Sequence, residues 1–313
     1  MDLSLGFISL TISLIAIILS QKYFLNNNFV DNINHRSSHS TIATRSGGLS
    51  IFITLFILSI YHYIGGNALY DYSIIPPLIL LLSIGLYDDI FEVDFKLKFI
   101  FQIIAAKMII DNGLIIDNFH GIFGLFEISR IYAHIITIFI IVAIINAINF
   151  IDGIDGLAIS VTLFFIILFE SLSAEVTPYI KMSLIVLFSI FPLYIFNFKK
   201  TKKVFIGDSG SLFLGGIIST YVIYILSNDY IIVNQYDVHK VIFVFSLLSY
   251  PIVDLIRVFF LRVIKGDSPF KADKNHIHHI LLKKINNHKI VSLIIIVCSV
   301  FVFLTIQLLV NFI

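Results

Sequence analysis

The sequence has no tryptophan, a single cysteine and few charged residues. With no second cysteine, Cys298 can form neither an internal disulfide nor a thiolate metal site. Only 13% of the residues are charged and 58% are hydrophobic, a balance that is typical of polytopic membrane proteins and not of soluble domains. Because tryptophan is missing, anchoring at the membrane interface falls to Tyr and Lys. The net charge of +1 gives no support for nucleic-acid binding.

Long apolar runs cover most of the chain and are separated by polar segments. Most have the length that crosses a bilayer as a helix, and helices are favoured because backbone amides in hydrocarbon must be paired within their own segment. The runs are 3–21, 47–65, 73–88, 98–112, 132–150, 156–172, 178–197, 211–227, 238–260 and 290–312. The sequence therefore predicts an all-α fold, a polytopic transmembrane helix bundle of about ten spans that forms one domain over residues 1–313.

The basic residues predict how the bundle is oriented. If the spans alternate, all but four of the 21 Lys and Arg residues fall at or near the side reached after the first span, and the exceptions are Lys107, Arg130, Lys181 and Lys240. Basic residues prefer cytoplasmic loops, so both termini are predicted to lie outside. We expect the first run to be a retained helix and not a signal peptide, because Asp2 stands where a positive charge is usual.

Five clusters of Asp, His and Gly interrupt the apolar runs, and all five fall on the predicted cytoplasmic face. They are Asn34–His39, Asp88-Asp89, Asn149–Gly156, Gly207–Gly210 and Asp273–His279. The same face is basic, which suits phosphates. This one-sided arrangement favours an enzyme with its active site on the cytoplasmic face. A transporter is the distant alternative, since its charged groups would line a path through the membrane.

The carboxylates of these clusters each allow two interpretations. Asp88-Asp89 at a membrane boundary suggests a metal or proton-transfer role, or a solvated helix end. Asp152 and Asp155 fall on one side of a turn whose free N–H groups could hold an anion or a nucleotide, and the alternative is a tight capped turn. Asp208, with four lysines just upstream, suits Mg²⁺ or caps a helix.

The last cluster carries three histidines, His276, His278 and His279. A zinc site is disfavoured because no cysteine and no His–Glu zinc-protease pattern accompanies them. With the neighbouring lysines they suit phosphate or diphosphate binding, and a solvated basic loop is the alternative. Carboxylates and basic groups on one face together indicate Mg²⁺-assisted phosphoryl transfer. A position at the mouth of a membrane bundle favours a lipid phosphate as the acceptor.

In order and spacing, the clusters also resemble the motifs of a known family, the polyprenyl-phosphate N-acetylhexosamine-1-phosphate transferases of glycosyltransferase family 4. The matching segments are Asn34-x-Arg36-Ser37-Ser38-His39, Asp88-Asp89, Asn149-Phe150-x-Asp152-Gly153-x-Asp155-Gly156-Leu157-Ala158, Val204-Phe205-x-Gly207-Asp208-Ser209-Gly210-Ser211, and Ser268-Pro269-Phe270 followed by Asp273-x-Asn275-His276-Ile277-His278-His279. Members of this family move a sugar-1-phosphate from a UDP-sugar to a lipid phosphate and release UMP.

The resemblance implies roles for individual residues. Asp88 and Asp89 would serve the lipid-phosphate acceptor, one of them as a base unless the ionised acceptor needs none, and Asp208 would join them in catalysis. Asp208 and Asp152 would ligate Mg²⁺, with Mn²⁺ as an alternative. The substrate-binding residues would be Asn149, Asp152, Asp155, Lys98, Arg257, Lys274, His276, His278 and His279.

The resemblance also implies a multi-pass enzyme of the bacterial inner (cytoplasmic) membrane. Its partners would be UDP-HexNAc, undecaprenyl phosphate and the lipid bilayer, with no nucleic acid, and a homodimer is left open. The His-Ile-His-His pattern resembles the branch that starts cell-surface polysaccharides such as O antigen, with UDP-GlcNAc as the expected donor. The phospho-MurNAc-pentapeptide transferase of peptidoglycan synthesis is the alternative.

Overall fold

The computed structural model describes residues 3–31, 42–119, 121, 124, 126–227, 230–233, 239–268 and 275–310. Asn34–His39 of the first cluster, and Asp273 and Lys274 of the last, lie outside the described residues. The described part is almost entirely helical. Its elements are α1 (Leu3–Asn26), β1 (Ala43–Thr44), α2 (Gly47–Ile64), a 3₁₀ turn (Tyr72–Ile74), α3 (Ile75–Phe91), α4 (Phe95–Asp111), α5 (Arg130–Ile151), α6 (Leu157–Ser171), α7 (Ile180–Asn197), β2 (Lys203–Val204), α8 (Gly207–Leu226), α9 (Lys240–Leu247), α10 (Ser249–Ile264), α11 (Ile277–Ile285) and α12 (His288–Val310).

Within the described residues each predicted apolar run is helical, but fewer helices than predicted are long and apolar enough to cross a membrane. Among the described residues, α1, α2, α3 with its preceding turn, α5, α7, α8 and α12 meet that requirement, and α9 with α10 forms an eighth, bent candidate. Helix α6 has 15 residues, about 22 Å at ~1.5 Å per residue, against ~30 Å of hydrocarbon. Helix α4 has 17 and includes Lys96, Lys98 and Lys107. The described residues thus form a multi-pass helical membrane protein with seven or eight candidate spans of this length and composition, and the count of about ten is not confirmed.

Helix α8 forms the centre of the bundle. Of its most apolar window 94% is buried, against 33–56% for the other spans. Its main partners are α3 and α5, and glycines allow the close approach. A Cβ on Gly215 would lie 2.9 Å from the Cα of Ile145, and one on Gly216 would lie 2.6 Å from the Leu81 side chain. Small residues at helix contacts let backbones approach closely within a membrane.

The apolar run 238–260 is two helices and not one. Helices α9 and α10 are bent by 82°, and the break lies at Leu248. Pro251, in the first turn of α10, has no N–H to donate to the carbonyl of Leu247, and its ring would clash with that carbonyl in a continuous helix. The bend directs α10 towards α5 and α12.

A short parallel β-pairing joins two loops that are far apart in the sequence. The pattern of apolar runs does not predict this contact. Strand β1 pairs with β2 in parallel, with Ala43 opposite Lys203. The N–H groups of Gly47 and Gly48 then donate to the carbonyls of the two residues just before α8. A Cβ on Gly48 would lie 2.1 Å from backbone atoms of Gly210. The starts of α2 and α8 are therefore in direct contact.

Candidate active site

The ends of α3 and α5 meet the starts of α4, α8 and α11 around a cavity of about 410 Å³. The predicted site residues that line it are Asp88, Lys98, Asn149, Asp152, Asp208, His276 and His279. The other lining residues are Val93, Phe95, Gln102, Asn146, Phe150, Gly153, Leu212 and Arg262. All four clusters that the structure describes thus contribute to one site. The predicted residues Asp89, Asp155, Arg257 and His278 are described but do not line this cavity.

Lys98 joins two of the cavity carboxylates. Its Nζ lies 3.1 Å from Oδ2 of Asp88 and 2.9 Å from Oδ2 of Asp208. The other oxygen of Asp88 accepts a hydrogen bond of 2.7 Å from the N–H of Val93. Because all three charged side chains are largely buried, their attraction is stronger than that of surface ion pairs. Lys98 is therefore the cation that balances the acidic groups at this position.

Asp152 adds a third carboxylate to the cavity. Burial, and after it the negative charges of Asp208 and Asp89, raise the pKa of Asp152 well above its ordinary value. Repulsion between neighbouring carboxylates is relieved when a proton or another cation enters. Within the described part of the chain, no three Asp, Glu, His or Cys side chains are grouped to hold a metal ion. A divalent cation bound here would therefore need further ligands from water or a substrate.

The side chain of Asp89 is fully buried and caps the start of α8. Its Oδ1 accepts from the N–H of Asp208 and its Oδ2 from the N–H of Ser209, both at 2.9 Å. The first N–H groups of a helix have no partner within the helix, and a carboxylate there also interacts favourably with the helix dipole. The helix begins before the predicted run 211–227, because this cap lets α8 begin at Gly207. The two adjacent aspartates thus differ, since only Asp88 faces the cavity.

Asp155 ties the turn before α6 to neighbouring elements. Its Oδ2 lies 2.5 Å from Nζ of Lys203 and 3.1 Å from Nδ1 of His288. Burial raises the pKa of Asp155, but His288 and Lys203 outweigh it and the pKa ends below its ordinary value. The N–H of Gly156 donates to Oδ1 of Asn197. The expectation that this turn offers free N–H groups to an anion is wrong for this group.

His278 lies under the cavity and supports the Asp-Gly turn. It is fully buried, and its Nδ1 lies 2.9 Å from the hydroxyl of Tyr250. Burial, with the neighbouring His279 and His276, lowers the pKa of His278 to about 3. A Cβ on Gly153 would lie 2.7 Å from Nε2 of His278. The absence of a side chain at position 153 therefore lets the turn lie directly on this histidine.

Two further residues at the site were missed by the sequence reasoning. Asp254, on α10, is buried, and its Oδ2 lies 2.8 Å from Nδ1 of His276. Its Oδ1 accepts from Arg257, which does not line the cavity. Arg262, near the C-terminal end of the same helix, lines the cavity. The one signal available was that Asp254 is the only acidic residue in the run 238–260.

The arrangement combines three chemical features in one cavity. Asp88, Asp152 and Asp208 supply hard oxygen ligands, while Lys98 and Arg262 supply positive charge. Aromatic and aliphatic side chains form part of the wall. Such a site can hold a diphosphate together with a divalent cation, and its apolar wall can contact an apolar group of a ligand.

Comparison with known proteins identifies the family. Residues 72–226 match the model of glycosyl transferase family 4. The chain is 33% identical to the undecaprenyl-phosphate alpha-N-acetylglucosaminyl 1-phosphate transferase of Haemophilus influenzae, over 81% of this chain and 72% of that protein. It is 30% identical to the probable undecaprenyl-phosphate N-acetylglucosaminyl 1-phosphate transferase of Bacillus subtilis, over 85% of this chain and 73% of that protein. The chain therefore belongs to glycosyl transferase family 4.

Proposed function

We propose that this protein transfers GlcNAc-1-phosphate from UDP-GlcNAc to undecaprenyl phosphate and releases UMP. The observation that carries the proposal is the convergence of Asp88, Asp152 and Asp208 with Lys98 on one cavity at the end of a membrane bundle. The names of the relatives supply the acceptor and the transferred sugar phosphate. The expected product starts a cell-surface polysaccharide such as O antigen.

In the proposed reaction, an oxygen of the acceptor phosphate forms a bond to the sugar-bearing phosphorus of the donor. The bond between that phosphorus and the bridging oxygen breaks, and UMP leaves with the electron pair. A phosphate monoester is largely ionised near neutral pH, so the acceptor needs little help from a base. Asp88, at the cavity surface, accepts a proton that remains on the acceptor, and Lys98 neutralises charge on the phosphate oxygens.

The cavity residues fit Mg²⁺, with Mn²⁺ as an alternative. Mg²⁺ binds through one or two carboxylates plus substrate phosphates, and Asp208 and Asp152 provide two carboxylates on the same cavity. The pKa of Asp152 is raised first by burial and then by the negative charges of Asp208 and Asp89, which a bound cation would offset. When bound, the metal supplies charge neutralisation for the diphosphate and the leaving group.

We further propose that the cavity opens to the cytoplasm at the bacterial inner membrane. The basic residues concentrate on the same side as the described clusters, as cytoplasmic loops do. The donor then enters from the cytosol, and the acceptor reaches Phe95, Phe150 and Leu212 of the cavity wall from the bilayer.

The test is UMP release by purified protein in nanodiscs, with undecaprenyl phosphate and Mg²⁺. UDP-GlcNAc, UDP-GalNAc and UDP-MurNAc-pentapeptide are offered separately, with and without lipid and with and without a chelator. We expect release with UDP-GlcNAc only, and only when lipid and metal are both present. Release with UDP-MurNAc-pentapeptide alone would assign the protein to the branch of the phospho-MurNAc-pentapeptide transferase. No release with any donor, in protein shown to be folded, would contradict the proposal.

A further inference from the structure

Asp254 uses both of its carboxylate oxygens to hold the segment that leads into α11. It is fully buried on α10. Its Oδ2 lies 2.8 Å from Nδ1 of His276, and its Oδ1 accepts from Arg257 at 2.8 Å and from the N–H of Ile277 at 3.0 Å. Arg257 also donates to the carbonyl of Asn275. One buried carboxylate thus fixes both the backbone and the imidazole beside the cavity.

These contacts determine which nitrogen of His276 carries the proton. The guanidinium of Arg257 favours the ionised form of Asp254, and an ionised carboxylate only accepts hydrogen bonds. Nδ1 of His276 must then be the donor in its contact with Asp254. In the neutral ring this leaves Nε2 as an acceptor with a free electron pair.

The ring of His276 is also held in place by its neighbours. It stacks on His278 at 5.4 Å between centroids with 18° between the ring planes, and its centroid lies 5.7 Å from that of Phe150. Only 5% of the residue is exposed, yet it lines the cavity. A ring flip would lose the bond to Asp254, so Nε2 is the nitrogen left for the cavity.

We propose that Asp254 is a positioning residue that holds His276 as the Nδ1–H tautomer and presents Nε2 to the UDP-sugar. In that tautomer, the neutral ring accepts a hydrogen bond from a hydroxyl or amide N–H of the donor and does not donate to a phosphate oxygen. The inference rests on the proposed function, because it assigns the ligand of the same cavity.

The first test reads the tautomer directly and needs no turnover. Protein labelled with ¹⁵N-histidine in nanodiscs is measured by NMR above neutral pH, and the His276 signals are assigned by their loss in His276→Asn. We expect Nδ1–H in the wild type. In Asp254→Asn the amide can donate to Nδ1, so we expect the proton to move to Nε2. An Nε2–H tautomer in the wild type would overturn the proposal, whatever the fate of the variant.

The second test measures the kinetic consequence in Asp254→Asn. Loss of a group that orients a metal-binding histidine typically costs about 10–100-fold, and we expect a fall of similar size in kcat/KM for UDP-GlcNAc. The KM for undecaprenyl phosphate should stay unchanged, whereas general damage to the fold would alter it as well.

Asp111→Asn is the matched control, since Asp111 is exposed, pairs with Lys107 and lies outside the site. Asp254→Asn with the altered tautomer but wild-type kcat/KM would also overturn the proposal. A wild type that releases no UMP contradicts the proposed function, and the tautomer measurement still decides the role of Asp254.

Discussion

Asp89→Asn separates the two adjacent aspartates, because we expect it to lower stability first and activity only as a result. Both oxygens of Asp89 accept N–H groups of the first turn of α8 at 2.9 Å, and its side chain is fully buried. An asparagine offers one acceptor oxygen, and its NH₂ group would face the second N–H. One buried N–H then has no acceptor, and the charge at the helix start is lost.

The expected magnitude follows from these two losses. A buried N–H without an acceptor costs about 1–3 kcal/mol, and loss of a charge at a helix N-terminus costs about 0.3–2 kcal/mol. The free energy of unfolding should therefore fall by about 1–5 kcal/mol. Asp88→Asn is the comparison, because its amide oxygen can still accept from the N–H of Val93 and Lys98 keeps its ion pair with Asp208.

Thermal unfolding in detergent, followed by circular dichroism, measures the difference between the two variants. We expect a clearly lower Tm for Asp89→Asn, and a Tm near that of the wild type with reduced UMP release for Asp88→Asn. Equal melting temperatures for wild type and Asp89→Asn would refute the capping role. A folded Asp88→Asn with full turnover would refute the assignment of Asp88 to the reaction.

Three further predictions address the metal, the packing and the pH dependence. Asp208→Asn should lower UMP release at least about 100-fold without lowering Tm, because an amide is a poor Mg²⁺ ligand. Gly48→Ala should abolish folded yield in size-exclusion chromatography, since its Cβ would lie 2.1 Å from Gly210, whereas Gly65→Ala, with its nearest atom at 3.5 Å, should fold. His278 has a folded pKa of about 3 and an unfolded pKa near 6.5, so the unfolded state binds the extra proton as pH falls. Stability should therefore drop by about 2 kcal/mol between pH 7 and pH 5, and urea titrations of His278→Gln should show a shallower pH slope.

The sequence predicts much of the site because its chemistry is concentrated in short polar clusters. A polar group at the end of an apolar helix must lie near the membrane surface, so the alternating count places Asp88, Asn149, Asp152 and Asp208 on one side. The structure brings all four to one cavity. The helical character of the runs follows equally directly from the need to pair backbone amides in hydrocarbon.

Other features depend on contacts between segments far apart in the chain, and local patterns do not contain them. Asp88 and Asp89 are neighbours in sequence, yet successive positions on a helix point about 100° apart, and only packing against α8 decides which one faces the cavity. The break at Leu248 depends on Pro251, and the pairing of β1 with β2 joins residues about 160 positions apart. Asp254 was missed because a single acid in an apolar run has no recognisable spacing.

Some buried carboxylates are paired with positive groups of the protein and others are not. This difference distinguishes residues that support the structure from residues that take part in the reaction. Asp155 is paired with Lys203 and His288, and Asp254 is paired with Arg257 and His276. Charge that is fully paired inside the protein has little capacity left for a ligand. Asp152 has a raised pKa, and Asp208 shares its one lysine with Asp88. The unbalanced charge therefore lies in the cavity, where a cation and a phosphate substrate together would neutralise it.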